Sequence, residues 1–380
     1  MRIRIGAAPH PLLVFLLIGL LHGAIAAVRG PLMSADSITY SRWVEHLRPA
    51  TFHDRIRNAP PLSEYPRVLY TGWVTLLALA QSLFADHWKL AILALNVIAN
   101  AAVAAMIVTM VHAETRDAVA GWVAFSLYLI SFDLLLWTPF VLSDPTFLLI
   151  SFGAFAVPMQ ASRSGRPRIA IVAAGALSAL AIIYRPNGAL IPLSLVAALI
   201  ALRVKRTRPL ILLATSTAAC VLLLNAHLVQ DPARWPGEDP PRALRYHAGL
   251  YQNGVVVYDR PDTFHAKPEA LLDHVAISLD RLVQFFRITH PSFSTAHNLV
   301  SALFFVPAYL LALIALRFHR RGVPPSMTVS VVFVVVIWFF TSLAQIDFDW
   351  RYRLPMLPHL IFIAGVGASE MRRVFAQRRA

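Results

Sequence analysis

The stretch KLAILALNVIANAAVAAMIVTMVH, residues 89–112, decides the fold class of this chain. After Lys89 it carries no charged side chain before His112, and a helix needs about 20 apolar residues to cross the hydrocarbon layer of a bilayer. The sequence therefore predicts an all-α polytopic membrane protein with about ten transmembrane helices. The nine other runs of this kind are 11–28, 119–139, 145–160, 169–184, 188–204, 210–228, 298–316, 327–345 and 355–370.

Composition supports a membrane protein. The hydrophobic set makes up 57% of the 380 residues and charged residues only 14%, with a mean hydropathy of +0.61. The formal net charge of +14 raises nucleic acid as a partner, but most Arg and Lys flank apolar runs, which is typical of a topology signal. We therefore expect membrane lipids and no nucleic acid as partners. Cys220 lies in an apolar run and is interpreted as an inert buried thiol.

The basic connections predict the topology, because Lys and Arg of short loops concentrate on the cytoplasmic side. A borderline apolar run, 69–85, decides the arrangement. If it does not cross the membrane, every basic cluster falls on one side together with the N-terminus. We therefore predict a multi-pass protein of the plasma (inner) membrane with cytoplasmic termini and with 69–85 as an outer-face juxtamembrane helix. The basic clusters are Arg2/Arg4, Arg163/Arg166/Arg168, Arg203/Lys205/Arg206/Arg208, Arg317/Arg320/Arg321 and Arg372/Arg373/Arg378/Arg379.

This topology divides the chain into three parts and gathers most of the remaining polar residues on the outer face. Residues 1–228 form an N-terminal membrane module with an outer loop over 29–88, residues 229–297 form a second long outer loop, and residues 298–380 form the last helices and a basic tail. The short turns around Asp144, Arg185 and Asp347 to Arg353 also fall on the outer face. We expect a functional site there.

Two carboxylates on this face are candidates for catalysis. Asp36 follows the first run, with Tyr40 one helical turn later; a solvated loop residue or helix cap is the alternative. Asp144 lies between two apolar runs, and Ser143-Asp144-Pro145 also resembles an ordinary helix N-cap.

A third carboxylate, Asp133, lies deeper, inside the preceding apolar run. A charged side chain within a span costs free energy and indicates either function or pairing with a basic residue.

Arginines beside these carboxylates indicate an anion site. Arg185 interrupts two apolar runs before Pro186, either as a snorkelling interfacial residue or as a phosphate ligand. The turn before the last run contains two more arginines, against the positive-inside trend; ion pairs with the acids of the same turn are the alternative to an anionic ligand. The candidate substrate-binding residues are Tyr40, Arg185, Asp349, Arg351, Tyr352 and Arg353.

Carboxylates, arginines and aromatic residues beside a membrane suit sugar transfer from a polyprenyl phosphate. The phosphate is already a good leaving group, so what the reaction needs is a carboxylate that takes the acceptor proton and cations that hold the departing phosphate. The lipid tail of the donor would lie between helices. No metal-type Cys/His cluster or Gly-rich phosphate loop is visible, so no protein-bound cofactor is expected, and a divalent metal stays open.

The order of these motifs resembles the GT-C superfamily of membrane glycosyltransferases, especially bacterial enzymes similar to protein O-mannosyltransferases and aminoarabinose transferases. The resemblance covers most of the chain and implies an inverting transferase with a GT-C-like helix bundle, a lipid-linked sugar as donor and an acceptor on the outer face. It further implies that Asp36 is the catalytic base, Asp144 the second active-site acid, and Arg351 or Arg353 a ligand of the lipid-linked phosphate. The motifs are Asp36 with Tyr40, Tyr65-Pro66, Leu142-Ser-Asp-Pro-Thr-Phe147, Tyr184-Arg-Pro-Asn187 and Arg351-Tyr-Arg-Leu-Pro355.

Two other functions fit an outer arginine cluster. A transporter or flippase for a lipid-linked or anionic solute would use the arginines as a vestibule, but no paired halves with matching broken helices are visible. An O-antigen-ligase-like transferase would use a diphosphate carrier and would depend on arginines more than on carboxylates.

Overall fold

The computed structural model describes residues 7–47, 70–204, 279, 282–283, 285–289, 294–318, 324–344 and 350–379. Within these residues the chain is helical, and an isolated parallel bridge joins Leu32 to Phe140. The helices are α1 (Pro11–Arg29), α2 (Ala35–Leu47), α3 (Thr71–Phe84), α4 (Trp88–Thr115), α5 (Ala118–Ile130), α6 (Phe132–Leu136), α7 (Asp144–Arg163), α8 (Pro167–Tyr184), α9 (Leu190–Val204), α10 (Thr295–Phe318), α11 (Pro325–Ala344) and α12 (Leu357–Arg379). Short 3-10 helices cover Ala85–His87, Pro186–Ala189 and Trp350–Met356.

Seven helical segments among the described residues are long and apolar enough to cross a membrane. They correspond to seven of the ten predicted runs, with α3 and α4 counted as one continuous candidate over Thr71–Thr115. The predicted run 188–204 forms the shorter α9, and 210–228 lies outside the described residues. The prediction of one helix over 119–139 was wrong: the chain leaves the helix at Ser131, and Pro139, which has no N–H, follows the short α6.

Helix α4 contacts α1, α3, α5, α7 and α12, and α12 in turn contacts α10 and α11. Helices α1 and α4 are antiparallel, because Gly19 faces Ala101 while Gly23 faces Val97. The end of α1 at Arg29 therefore lies beside the start of α4.

The opposite end of the bundle is defined by contacts near the chain termini. The Trp122 Nε1 donates a hydrogen bond to the carbonyl of Ala7, and Arg372 pairs with Asp117. Arg163 pairs there with Glu114. The helix ends next to three of the basic clusters thus gather at this end, which we call the basic end.

Helix α3, within the predicted juxtamembrane run, has both of its ends away from the basic end. Trp73, near its start, packs on Tyr184 at the end of α8, with ring centroids 5.7 Å apart. After its last residue the chain turns sharply at Ala85, whose φ is 44°, and enters α4 beside the end of α1. Its 14 residues extend only about 20 Å at 1.5 Å per residue, less than the hydrocarbon thickness.

We expect single cysteines at Gly30 and Ala85 to be labelled from the same side by a membrane-impermeant thiol reagent, and a cysteine at Gly165 only after permeabilisation. The background is Cys220→Ser. The reason is that Gly30 ends α1 and Ala85 ends α3 at one end of the bundle, whereas Gly165 follows α7 at the basic end. Labelling of Gly30 and Ala85 from opposite sides would show that α3 crosses the membrane.

Candidate active site

Asp36 and Tyr40 lie on one face of α2, as their spacing of four residues requires. The start of this helix is fixed by reciprocal bonds: the Ser34 N–H donates to Ser37 Oγ at 3.0 Å, and the Ser37 N–H donates to Ser34 Oγ at 3.2 Å. The Arg351 Nη2 donates to Asp36 Oδ2 at 2.6 Å. The Asp36 side chain is 41% exposed and that of Arg351 is 11% exposed. The carboxylate is therefore accessible from outside, whereas the guanidinium is largely enclosed.

Asp144 and Arg185 form a second carboxylate–arginine pair, deeper than the first. The Arg185 Nη1 lies 2.5 Å from Asp144 Oδ1, and both side chains are almost fully buried. Helix α7 begins at Asp144, one residue earlier than the predicted start at Pro145, and the side chain of its N-cap residue Ser143 makes no cap hydrogen bond. Arg185 has an extended backbone that ends α8, and the turn is tight enough that a Cβ on Gly188 would collide with the carbonyl of Ala181.

The two pairs belong to one cluster. The Arg185 charge acts on both Asp36 and Tyr40, as does that of Arg351. Burial raises the pKa of Asp36, but the Arg351 charge and hydrogen bond, together with Arg185, outweigh it and hold that pKa below 3.8. Burial, with the nearby Asp36 and Tyr70, raises the pKa of Tyr40 well above 10.0. Asp36 is therefore an anion and Tyr40 a neutral hydroxyl at physiological pH.

Two buried polar atoms of the deeper pair have no hydrogen-bond partner among the described residues. They are Asp144 Oδ2 and Arg185 Nε. A buried, unsatisfied carboxylate oxygen or guanidinium N–H costs about 1–3 kcal/mol or more. An acceptor and a donor thus stand available beside the more exposed Asp36.

Aromatic rings line the cluster. The Tyr40 ring lies 5.3 Å from that of Tyr70, and the Arg351 guanidinium stacks 5.6 Å from the ring of Trp137. The Tyr184 hydroxyl lies 2.5 Å from Thr146 Oγ1 and joins α8 to α7. The sequence did not predict Tyr70 or the place of these rings around the cluster, although Trp137 and Tyr184 flank the acid and arginine motifs.

Arg353 lies apart from the cluster and is fully buried. Its Nε and Nη2 donate to Asp133 Oδ2 at 3.1 and 2.8 Å, and its Nη1 donates to the carbonyl of Arg287 at 2.9 Å. The guanidinium also stacks 4.2 Å from the ring centroid of Phe305. Asp133 therefore pairs with a basic residue, which is one of the two alternatives that its position inside an apolar run left open.

The other predicted substrate ligands differ in what the structure describes. The Tyr352 ring lies 5.9 Å from the guanidinium of Arg351, and so borders the cluster. Asp349 lies outside the described residues. Within the described part of the chain, no group of three or more His, Cys, Asp or Glu side chains is arranged to hold a metal ion.

A buried polar network supports the non-helical segment that leads to Asp144. The Asn96 amide donates to the carbonyls of Thr138 and Phe140 at 3.3 and 2.8 Å. Thr138 Oγ1 lies 2.7 Å from His22 Nδ1 and 3.2 Å from the Asn100 amide nitrogen. Non-helical backbone at membrane depth must have its polar groups satisfied by protein. Since His22 belongs to α1, which leads to Asp36, this network links the two segments that hold the carboxylates.

Comparison of the chain with protein-family models, curated proteins and solved structures gives no match. The fold and the apolar helices define a helical membrane protein with several candidate membrane spans.

Proposed function

We propose that this protein is a GT-C-like glycosyltransferase that moves a sugar from a polyprenyl-phosphate donor to an acceptor on the outer face of the plasma membrane. The observation that carries the proposal is the convergence of Asp36–Arg351 and Asp144–Arg185 at one end of a bundle of apolar helices. Four segments that are far apart in sequence supply these residues.

The chemistry of the cluster suits this reaction. Asp36 is ionised and accessible, so its free oxygen accepts the proton of an acceptor hydroxyl or amine as the bond to the anomeric carbon forms. Arg351, and Arg185 next to it, hold the phosphate on which negative charge develops as the glycosidic bond breaks. The leaving group is the polyprenyl phosphate, and attack from the opposite face inverts the anomeric carbon. No external oxidant or reductant is needed.

The proposed topology has ten spans, cytoplasmic termini and an outer-face site. Support comes from the basic end, where the start of α1 and the end of α12 lie together, and from the positive-inside trend. Helix α9 runs from the site towards the basic end, whereas His297, near the start of α10, packs 4.6 Å from Phe132 in the site half. An odd number of crossings between α9 and α10 agrees with one span over 210–228.

The proposal is tested with purified protein in liposomes that contain a polyprenyl-phosphate sugar labelled in the sugar, together with cell-envelope acceptors. We expect label to leave the lipid and appear on an acceptor identified by mass spectrometry, with inverted anomeric configuration. Movement of the intact labelled lipid between leaflets without bond cleavage would establish a flippase instead. Transfer from a diphosphate carrier only would favour the ligase-like alternative.

A further inference from the structure

A cavity outside the candidate active site lies on the other side of α2. It has a volume of about 580 Å³, is open to the surface and is bordered by α2, the end of α3, the 3-10 turn Ala85–His87 and the start of α4. We call it the juxtamembrane cleft. Its polar and aromatic lining consists of Ser41, Glu45, Gln81, Asp86, Trp88 and Lys89.

The cleft combines both signs of charge. Glu45 and Asp86 supply two carboxylates, and Lys89 supplies an ammonium group that lies 5.7 Å from the ring centroid of Trp88. Within the described part of the chain, no ion pair joins these three charged side chains to one another or to other residues. Opposite charges that share a cleft without neutralising each other are complementary to a zwitterionic ligand.

The cleft is continuous with apolar surface at the edge of the bundle. Leu83, Phe84 and Leu90, next to its lining residues in sequence, are 66%, 50% and 53% exposed. They belong to the end of α3 and the start of a helix apolar enough to span a membrane. Trp and Lys at such a position are typical of the membrane–water interface.

We propose that the juxtamembrane cleft binds a phospholipid whose headgroup carries a phosphate and a primary ammonium group. The Lys89 ammonium pairs with the phosphate, and the carboxylates of Glu45 and Asp86 accept hydrogen bonds from the ligand ammonium. Trp88 packs on the glycerol region, and the acyl chains follow the apolar surface of Leu83 and Leu90. This binding requires no covalent step and does not depend on the proposed transferase activity.

The test is native mass spectrometry of delipidated protein titrated with phosphatidylethanolamine, phosphatidylcholine or phosphatidylglycerol. We expect phosphatidylethanolamine to bind about tenfold more tightly than phosphatidylcholine, whose quaternary ammonium has no N–H to donate; tenfold corresponds to about one charge-assisted hydrogen bond. The double variant Glu45→Gln, Asp86→Asn should abolish this preference. Lys89→Ala should weaken the binding of all three lipids. The control Arg168→Ala removes an exposed cation at the basic end and should leave the preference unchanged.

Three results would overturn the proposal. They are equal binding of the ethanolamine and choline lipids to the wild-type protein, a preference that persists in the double variant, and displacement by soluble glycerophosphoethanolamine as effective as by the lipid. The last result would identify a site for a water-soluble zwitterion. Thermal unfolding curves of the variants, whose carboxylates are exposed, check that each protein is folded.

Discussion

Replacing Asp36 by Asn is expected to lower the rate of sugar transfer about 100-fold to 10,000-fold, which is the usual contribution of a general base. The amide has the shape of the carboxylate and still accepts a hydrogen bond from Arg351, but it cannot take the acceptor proton. Because Asp36 is 41% exposed, the change creates no cavity and buries no new charge, so the amount of folded protein should stay near wild type.

The affinity for the lipid-phosphate donor should not fall in this variant. Asp36→Asn releases Arg351 from its anionic partner, so the guanidinium attracts a phosphate at least as strongly as before. The matched control is Asp117→Asn, which breaks another Asp–Arg pair at the basic end and should retain activity. Near-normal turnover of Asp36→Asn in the purified protein would remove Asp36 from the mechanism and favour a transporter.

The helices could be predicted from the sequence because the signal is local. A run of about 20 apolar residues is by itself long and apolar enough to indicate a membrane-spanning helix. Seven of the ten predicted runs are candidate spans. The error over 119–139 has a physical cause. Hydropathy measures how apolar a segment is and does not show whether its backbone stays helical. The polar partners that let this segment leave the helix, Asn96 and His22, come from other helices.

The candidate site was only partly predictable. Asp36, Asp144, Arg185 and Arg351 were selected because charged residues are costly next to apolar runs. Their pairing could not be deduced, since Asp36 and Arg351 are separated by 315 positions and nothing local specifies which acid meets which base. Likewise, Arg351 and Arg353 look alike in sequence, yet one pairs with an accessible acid and the other is fully buried with Asp133.

Arg351→Lys is expected to raise the KM for the lipid-phosphate donor about 10-fold to 100-fold, because lysine keeps the charge but loses the guanidinium fork. Arg353→Lys should act differently. Its guanidinium donates three hydrogen bonds, two to Asp133 and one to the backbone of Arg287. Its loss should therefore lower the melting temperature and change KM little. Arg372→Lys, at the basic end, is the control for the loss of a guanidinium from an Asp–Arg pair.

The pH dependence of the rate tests whether Arg351 only binds the lipid-phosphate donor or also lowers the pKa of Asp36. In the wild type, the pKa of Asp36 is below 3.8 because Arg351 and Arg185 outweigh burial, so the carboxylate stays ionised and the rate should be level from neutral pH to about pH 5. Arg351→Gln removes the largest lowering influence and leaves only Arg185 to lower the pKa of Asp36, so that pKa rises. Under the proposed mechanism the rate requires ionised Asp36, so the acid limb of the pH–rate profile should move towards neutral pH. If kcat/KM of Arg351→Gln falls without any displacement of the acid limb, Arg351 contacts the donor but Asp36 is not the base whose ionisation limits the rate.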